Sequence, residues 1–231
     1  MDKLNQKLKT PKMKYFFISL ALLLPILSTA QDSNLGNWLL YIGNKKLNSK
    51  WNWHHEVQYR NYNAVGDLEQ LLLRTGIGYN LTPTNGNLLL GYGFIHSQNY
   101  TGFLDLKQKV NEHRVFQQLI TRDAIGRVGI QHRYRFEQRW IEDTDFKMRF
   151  RYFLSLNVPL NHTRMQEKTW YASAYNEIFL NHKQIIFDRN RLYLGLGFRL
   201  NKMAKFELGY MNQFLNNRNS DQINMVTFLS F

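Results

Sequence analysis

The chain has 231 residues, no cysteine, 44% hydrophobic residues and a formal net charge of +13. Absence of cysteine excludes both a disulfide-held scaffold and a lipid-modified cysteine anchor. Thirty Lys and Arg against seventeen Asp and Glu favour anionic partners over cationic ones.

The first element is a leader. Lys3, Lys7, Lys9, Lys12 and Lys14 precede the apolar run YFFISLALLLPIL, and Ser28 and Ala30 follow at the positions a signal peptidase reads. At about 13 residues, broken by Pro25, the run falls short of the ~20 that span a bilayer. The expectation is a secretory signal peptide over 1–30, with Met13 an alternative start to Met1, and one mature domain over 31–231. The leader holds five lysines and one aspartate, so the mature chain keeps a net charge of +9.

Beyond the leader, extended segments are expected at 38–44, 50–61, 70–81, 87–97, 110–122, 127–140, 146–158, 168–180, 191–200, 204–215 and 222–231. Many alternate cleanly. Residues 146–158 set Phe146, Met148, Phe150, Tyr152, Leu154, Leu156 and Val158 against Lys147, Arg149, Arg151, Phe153, Ser155 and Asn157. Residues 132–140 read HRYRFEQRW, with His132, Tyr134, Phe136, Gln138 and Trp140 on one side and Arg133, Arg135, Glu137 and Arg139 on the other. In 70–81, Leu72 is the one apolar residue on the polar face. A spacing of about 15 to 20 residues per strand and loop fits the roughly ten-residue tilted strands of an outer-membrane barrel better than a soluble sandwich. The last strand, NMVTFLSF, ends on Phe231, which reads as an assembly signal for the barrel-insertion machinery. The fold class is therefore all-β, a single antiparallel transmembrane β-barrel of about 10 to 12 strands. Twelve is favoured because bacterial barrels usually have an even count. Either residues 31–44 include a piece threaded through the lumen or one strand is hidden, for instance within HKQIIFD.

DLEQLLLRTGIGYNL, EHRVFQQL, HRYRFEQRW, RFRYFLSLNVPLN, AYNEIFLN, FDRNRLYLGLGFRL and the terminal Phe resemble the outer-membrane barrels grouped as domain of unknown function 2490, common in Bacteroidetes-like bacteria. The resemblance covers residues 36 to 231. It implies a bacterial outer-membrane location and no activity, and it carries over no functional residue.

Arginine on a lipid-facing wall near the midplane costs ~2 to 4 kcal/mol, so Arg74, Arg133, Arg135, Arg139, Arg149, Arg151 and Arg199 are expected to face the lumen. Glu69, Glu112, Glu137, Glu177 and Glu207 are the acids that could balance them. Folding 127–140 onto 146–158 pairs positions summing to 286 or 288, and either register leaves one Arg opposite another. That balance points to a passive or weakly selective channel for small anionic solutes, with rings of fixed charge selecting the ion. A closed structural or binding barrel is the alternative. A membrane-embedded lipid hydrolase is the third reading, because His132 lies on the aromatic face, but no G-x-S-x-G or local Ser accompanies it. No catalytic residue, metal site or cofactor is expected: His54 and His55 are neighbours on a strand and point to opposite faces. Glycines in GYG (91–93) and GLG (195–197) read as small inward residues in a narrow lumen. Trp38, Tyr41, Trp51, Trp53, Tyr59, Trp140 and Trp170 read as interfacial girdles. The expected partners are outer-membrane lipid and lipopolysaccharide, the barrel-assembly machinery and a small anionic solute, and not nucleic acid.

Overall fold

The computed structural model describes residues 35–102, 106–183, 186–216 and 219–231. The expected signal peptide and its two possible starts lie outside the described residues. Among the described residues there are eleven strands: β1 (Leu35–Lys46), β2 (Trp51–Asn61), β3 (Leu68–Asn80), β4 (Gly86–Tyr100), β5 (Lys107–Ile125), β6 (Val128–Ile141), β7 (Lys147–Pro159), β8 (Thr169–Asn181), β9 (Phe187–Arg199), β10 (Ala204–Leu215) and β11 (Asn219–Ser230). Each expected segment corresponds to one of them.

Sequence neighbours pair antiparallel all the way round, and β1 closes the barrel by pairing with β11 in parallel. That single parallel ladder is how an odd number of strands closes. The count falls within the expected ten to twelve, one fewer than the favoured twelve. Residues 35–46 are wall and not a lumen-threading segment, and from Phe187 the HKQIIFD stretch runs into β9. Because β1 and β11 run the same way, their first residues share one rim, here the amino rim, and their last residues share the other, the carboxyl rim.

Turn chemistry fits the short connections. Gly126 opens the two-residue link between β5 and β6 at φ 60°, the backbone a type II′ hairpin requires at its first central position. Asp143, between β6 and β7, takes φ 56°, which Asp tolerates better than most residues.

Alternation along the strands divides the side chains into an outer and an inner set. Outside, Leu73, Leu90, Leu194 and Leu208 form an apolar belt at 42% to 62% exposure. Aromatic pairs border it on both sides. Trp51–Tyr79 and Trp170–Phe198 lie towards the carboxyl rim with centroids 5.0 and 4.8 Å apart, and Trp140–Phe146 lies at the amino rim at 5.2 Å. Trp38 departs from the girdle expectation: it points inward and is buried. The parity of β1 explains this, since Leu39 and Tyr41 hold the outward positions.

Inside, the lumen is crowded. A Cβ on Gly91 would collide with the Phe116 ring, and one on Gly197 with the Tyr171 ring. These glycines leave room for large side chains projecting from neighbouring strands, as the GYG and GLG motifs suggest.

A candidate anion site in the lumen

The β6–β7 hairpin adopts the register summing to 286, which places Glu137 opposite Arg149 and Arg135 opposite Arg151. Glu137 is completely buried. Its Oε2 accepts from Arg149 Nη2 at 2.7 Å and Nε at 2.9 Å, and its Oε1 accepts from Arg151 Nη1 at 2.8 Å. Arg114 and Arg135 stand at 3.6 and 3.8 Å from the same carboxylate. One acid thus holds four guanidiniums.

Arg151 also donates to Glu177 at 2.6 Å, and Arg133 meets that carboxylate at 2.8 Å. Glu112 accepts from Arg114 and Arg139 at 2.6 and 2.7 Å. Arg74 pairs with Glu56 at 2.6 Å. Charge-assisted bonds of this length are the strong kind. Aromatic rings supply further support, with Arg135 4.5 Å from the Phe116 centroid, Arg151 4.4 Å from Phe179 and Arg60 3.7 Å from Trp38. Arg60 covers the Trp38 ring, so that ring is no open platform for a sugar.

Of the expected lumen arginines, Arg133, Arg135, Arg139, Arg149 and Arg151 join one inward network through Glu112, Glu137 and Glu177, and Arg74 forms a separate inward pair with Glu56. Arg199 lies apart from it at the carboxyl rim, donating to the carbonyls of Met165 and Asn201. Of the acids, Glu112, Glu137 and Glu177 carry the network, and Glu207 accepts from the Tyr171 hydroxyl at 2.8 Å. Glu69 departs from expectation: among the described residues it forms no ion pair within 4 Å. It alternates with Gln70, the inward residue that bonds Arg60 and Ser97, so its parity directs it away.

Sequence reasoning missed Glu56, Arg60, Arg114, Asp188 and Arg191. The signal was present in the parity of their strands. Glu56 and Arg60 share an alternate face with Gln58, and Glu112, Arg114 and Gln118 share another. The histidines divide as expected, His54 inward and His55 outward. Outward His132 shares a hydrogen bond with the Tyr152 hydroxyl at 2.8 Å, so its near partner is a phenol and not a serine.

A cavity of about 380 Å³ runs along the lumen, from Trp38 and Arg60 on the amino side to Asn44, Arg122 and Ser230 at the carboxyl rim. Its wall carries eight Arg and Lys side chains against three carboxylates, Glu56, Glu177 and Glu207. A second hollow of about 610 Å³ adjoins it at the rim, where Arg122, Arg127, Arg164, Arg199, Lys202 and Lys205 face one acid, Asp123. Arg127 holds the 160–168 loop in place by donating to the carbonyls of Pro159 and His162. Beside the cavity part of the lumen is filled by side chains. Phe116, Glu137, Arg149 and Phe179 are each at most 5% exposed and do not line the cavity.

A family model described as a protein of unknown function, DUF2490, matches residues 35–224. The chain belongs to this family. The DUF2490 match begins at the first residue of β1 and ends within β11, so it covers nearly the whole barrel wall. The chain is also similar to an uncharacterised protein of Methylorubrum extorquens, 28% identical over 172 residues, which cover 68% of this chain and 69% of the relative. No solved structure matches this DUF2490 chain.

Proposed function

We propose that this protein is a non-catalytic barrel of the bacterial outer membrane that binds a small anion in a one-ended cavity. The leucine belt between two aromatic borders supports membrane embedding, because lipid-facing strands alternate apolar-out and polar-in between such girdles. The leader-like first thirty residues support export. With Phe231 at the periplasmic rim, as its reading as an assembly signal requires, the cavity opens to the periplasm.

The observation that carries the binding reading is the buried ion-pair cluster that fills the lumen beside the cavity. Glu137 is completely buried among its four arginines, beside the buried rings of Phe116 and Phe179, so this part of the lumen holds fixed ion pairs in place of a water-filled path. The excess of cations on the cavity wall favours the second reading, an anion-selective channel. Planar-bilayer recording separates the two. The expected result is no ohmic single-channel steps, together with calorimetric binding of inorganic phosphate to the barrel. Anion-selective steps would establish the channel instead.

A further inference from the structure

Arg199 and Lys205 face each other directly across the β9–β10 ladder. Like charges in that position repel. Arg122 lines the same two hollows as Lys205. Among the described residues, neither Arg122 nor Arg199 has a carboxylate within 4 Å. Arg122 bonds the neutral Gln131 at 3.1 Å and Arg199 bonds only carbonyls. Lys205 has Glu207 at 3.9 Å, while its ammonium lies 4.0 Å from the Phe228 ring centroid. Three cations therefore gather at the carboxyl rim with hydrogen-bonding capacity to spare.

Directly beside them the lumen wall turns apolar. The parallel seam pairs Ile42 with Phe228 and Leu40 with Val226, and Phe228 is in turn the partner of Lys205 on β10. All four apolar residues line the cavity. Hydrocarbon does nothing for a charge-bracing lattice and nothing for a hydrated ion passing through. Water against such a wall is released when another apolar group covers it.

We infer that the cavity and the rim hollow adjoining it take a single-tailed amphiphilic anion, its phosphate or carboxylate held at their junction by Arg122 and Lys205, which line both, and by Arg199, which lines the rim hollow, and its short hydrocarbon chain laid against the β1–β11 seam in the cavity. This rests on the anion-binding reading above and names its ligand class. The cavity volume of about 380 Å³ is near the lower end of small-molecule pockets, and the apolar seam it offers suits one short chain.

The test uses the full barrel in zwitterionic nanodiscs, titrated calorimetrically with inorganic phosphate, butyl phosphate, pentanoate and butanol. Butyl phosphate should bind at least tenfold more tightly than inorganic phosphate, and butanol should not bind. Ile42→Gln should narrow that ratio, and Arg199→Gln should weaken both phosphates about tenfold. Pentanoate bound as tightly as butyl phosphate identifies a carboxylate head group as acceptable; much weaker binding assigns the head to phosphate. Equal affinity for inorganic and butyl phosphate overturns the amphiphile inference while leaving anion binding in place. If neither phosphate binds, the anion-binding reading itself falls. The comparison of ligands on the unmodified protein is decisive even if a variant fails to fold.

Discussion

Arg135 stands directly opposite Arg151 in the β6–β7 ladder, yet both face Glu137 Oε1, at 3.8 and 2.8 Å. The two arginines are not equivalent. Arg151 is gripped by two buried carboxylates, whereas the hydrogen bonds of Arg135 run to the neutral Gln118 at 2.5 and 2.9 Å.

Arg151→Gln should therefore destabilise the barrel by about 3–5 kcal/mol, the usual cost of removing one partner from a buried ion pair. Arg135→Gln should cost about 1 kcal/mol or less, because Gln can still donate to Gln118 and the repulsion with Arg151 is relieved. Urea midpoints, read from the heat-modifiable shift in gel migration, would rank the two. Equal midpoints would contradict the assignment of Arg151 as the strut.

Gly91→Ala should destabilise by about 1–3 kcal/mol, since the new methyl meets the buried Phe116 ring and the lumen has no slack to absorb it. Gly129→Ala is the control. Its nearest neighbour would be the Asn157 carbonyl oxygen at an ordinary 3.7 Å, so its midpoint should hardly move.

Phe150→Arg tests the outer face. Phe150 is 39% exposed and pairs with outward Phe136 across the hairpin. An arginine there should cost ~2 to 4 kcal/mol if the position lies near the bilayer midplane, measured as lost insertion into preformed vesicles. Normal insertion would reverse the assignment of faces.

On the proposed outer-membrane reading, deletion of Phe231 should lower the amount of assembled barrel recovered from that membrane. Besides its aromatic end, the residue donates its backbone N–H to Asn44 at 3.1 Å, and its carbonyl accepts from Lys46 at 2.7 Å. Both bonds pin the last strand to the first. Immunoblots of membrane fractions would measure the loss, and unchanged abundance would make Phe231 one more outward aromatic.

Much of this arrangement is legible in the alternation of the chain. The aromatic-arginine pattern of HRYRFEQRW separates outside from inside because only one parity can carry Arg133, Arg135 and Arg139. The balance of charge is harder to read. Pairing arithmetic on one hairpin leaves Arg135 against Arg151 and invites a ligand to compensate. The compensation instead reaches Arg151 from Glu137 on its own hairpin and Glu177 on β8. Long side chains reach across ladders, and parity alone does not say how far along the lumen they extend. Trp38 misleads for a related reason: its type suits an interface, while its neighbours Leu39 and Tyr41 had already claimed the outer parity.

The parallel seam has a topological consequence. Joining first and last strands in the same direction sends the beginning of β1 and the end of β11 to opposite mouths, separated by a 12-residue strand, about 40 Å at ~3.3 Å per residue. A circular permutant could not be sealed with a short linker, as it could in a barrel of even strand number, because the new connection would have to run the full length of the wall.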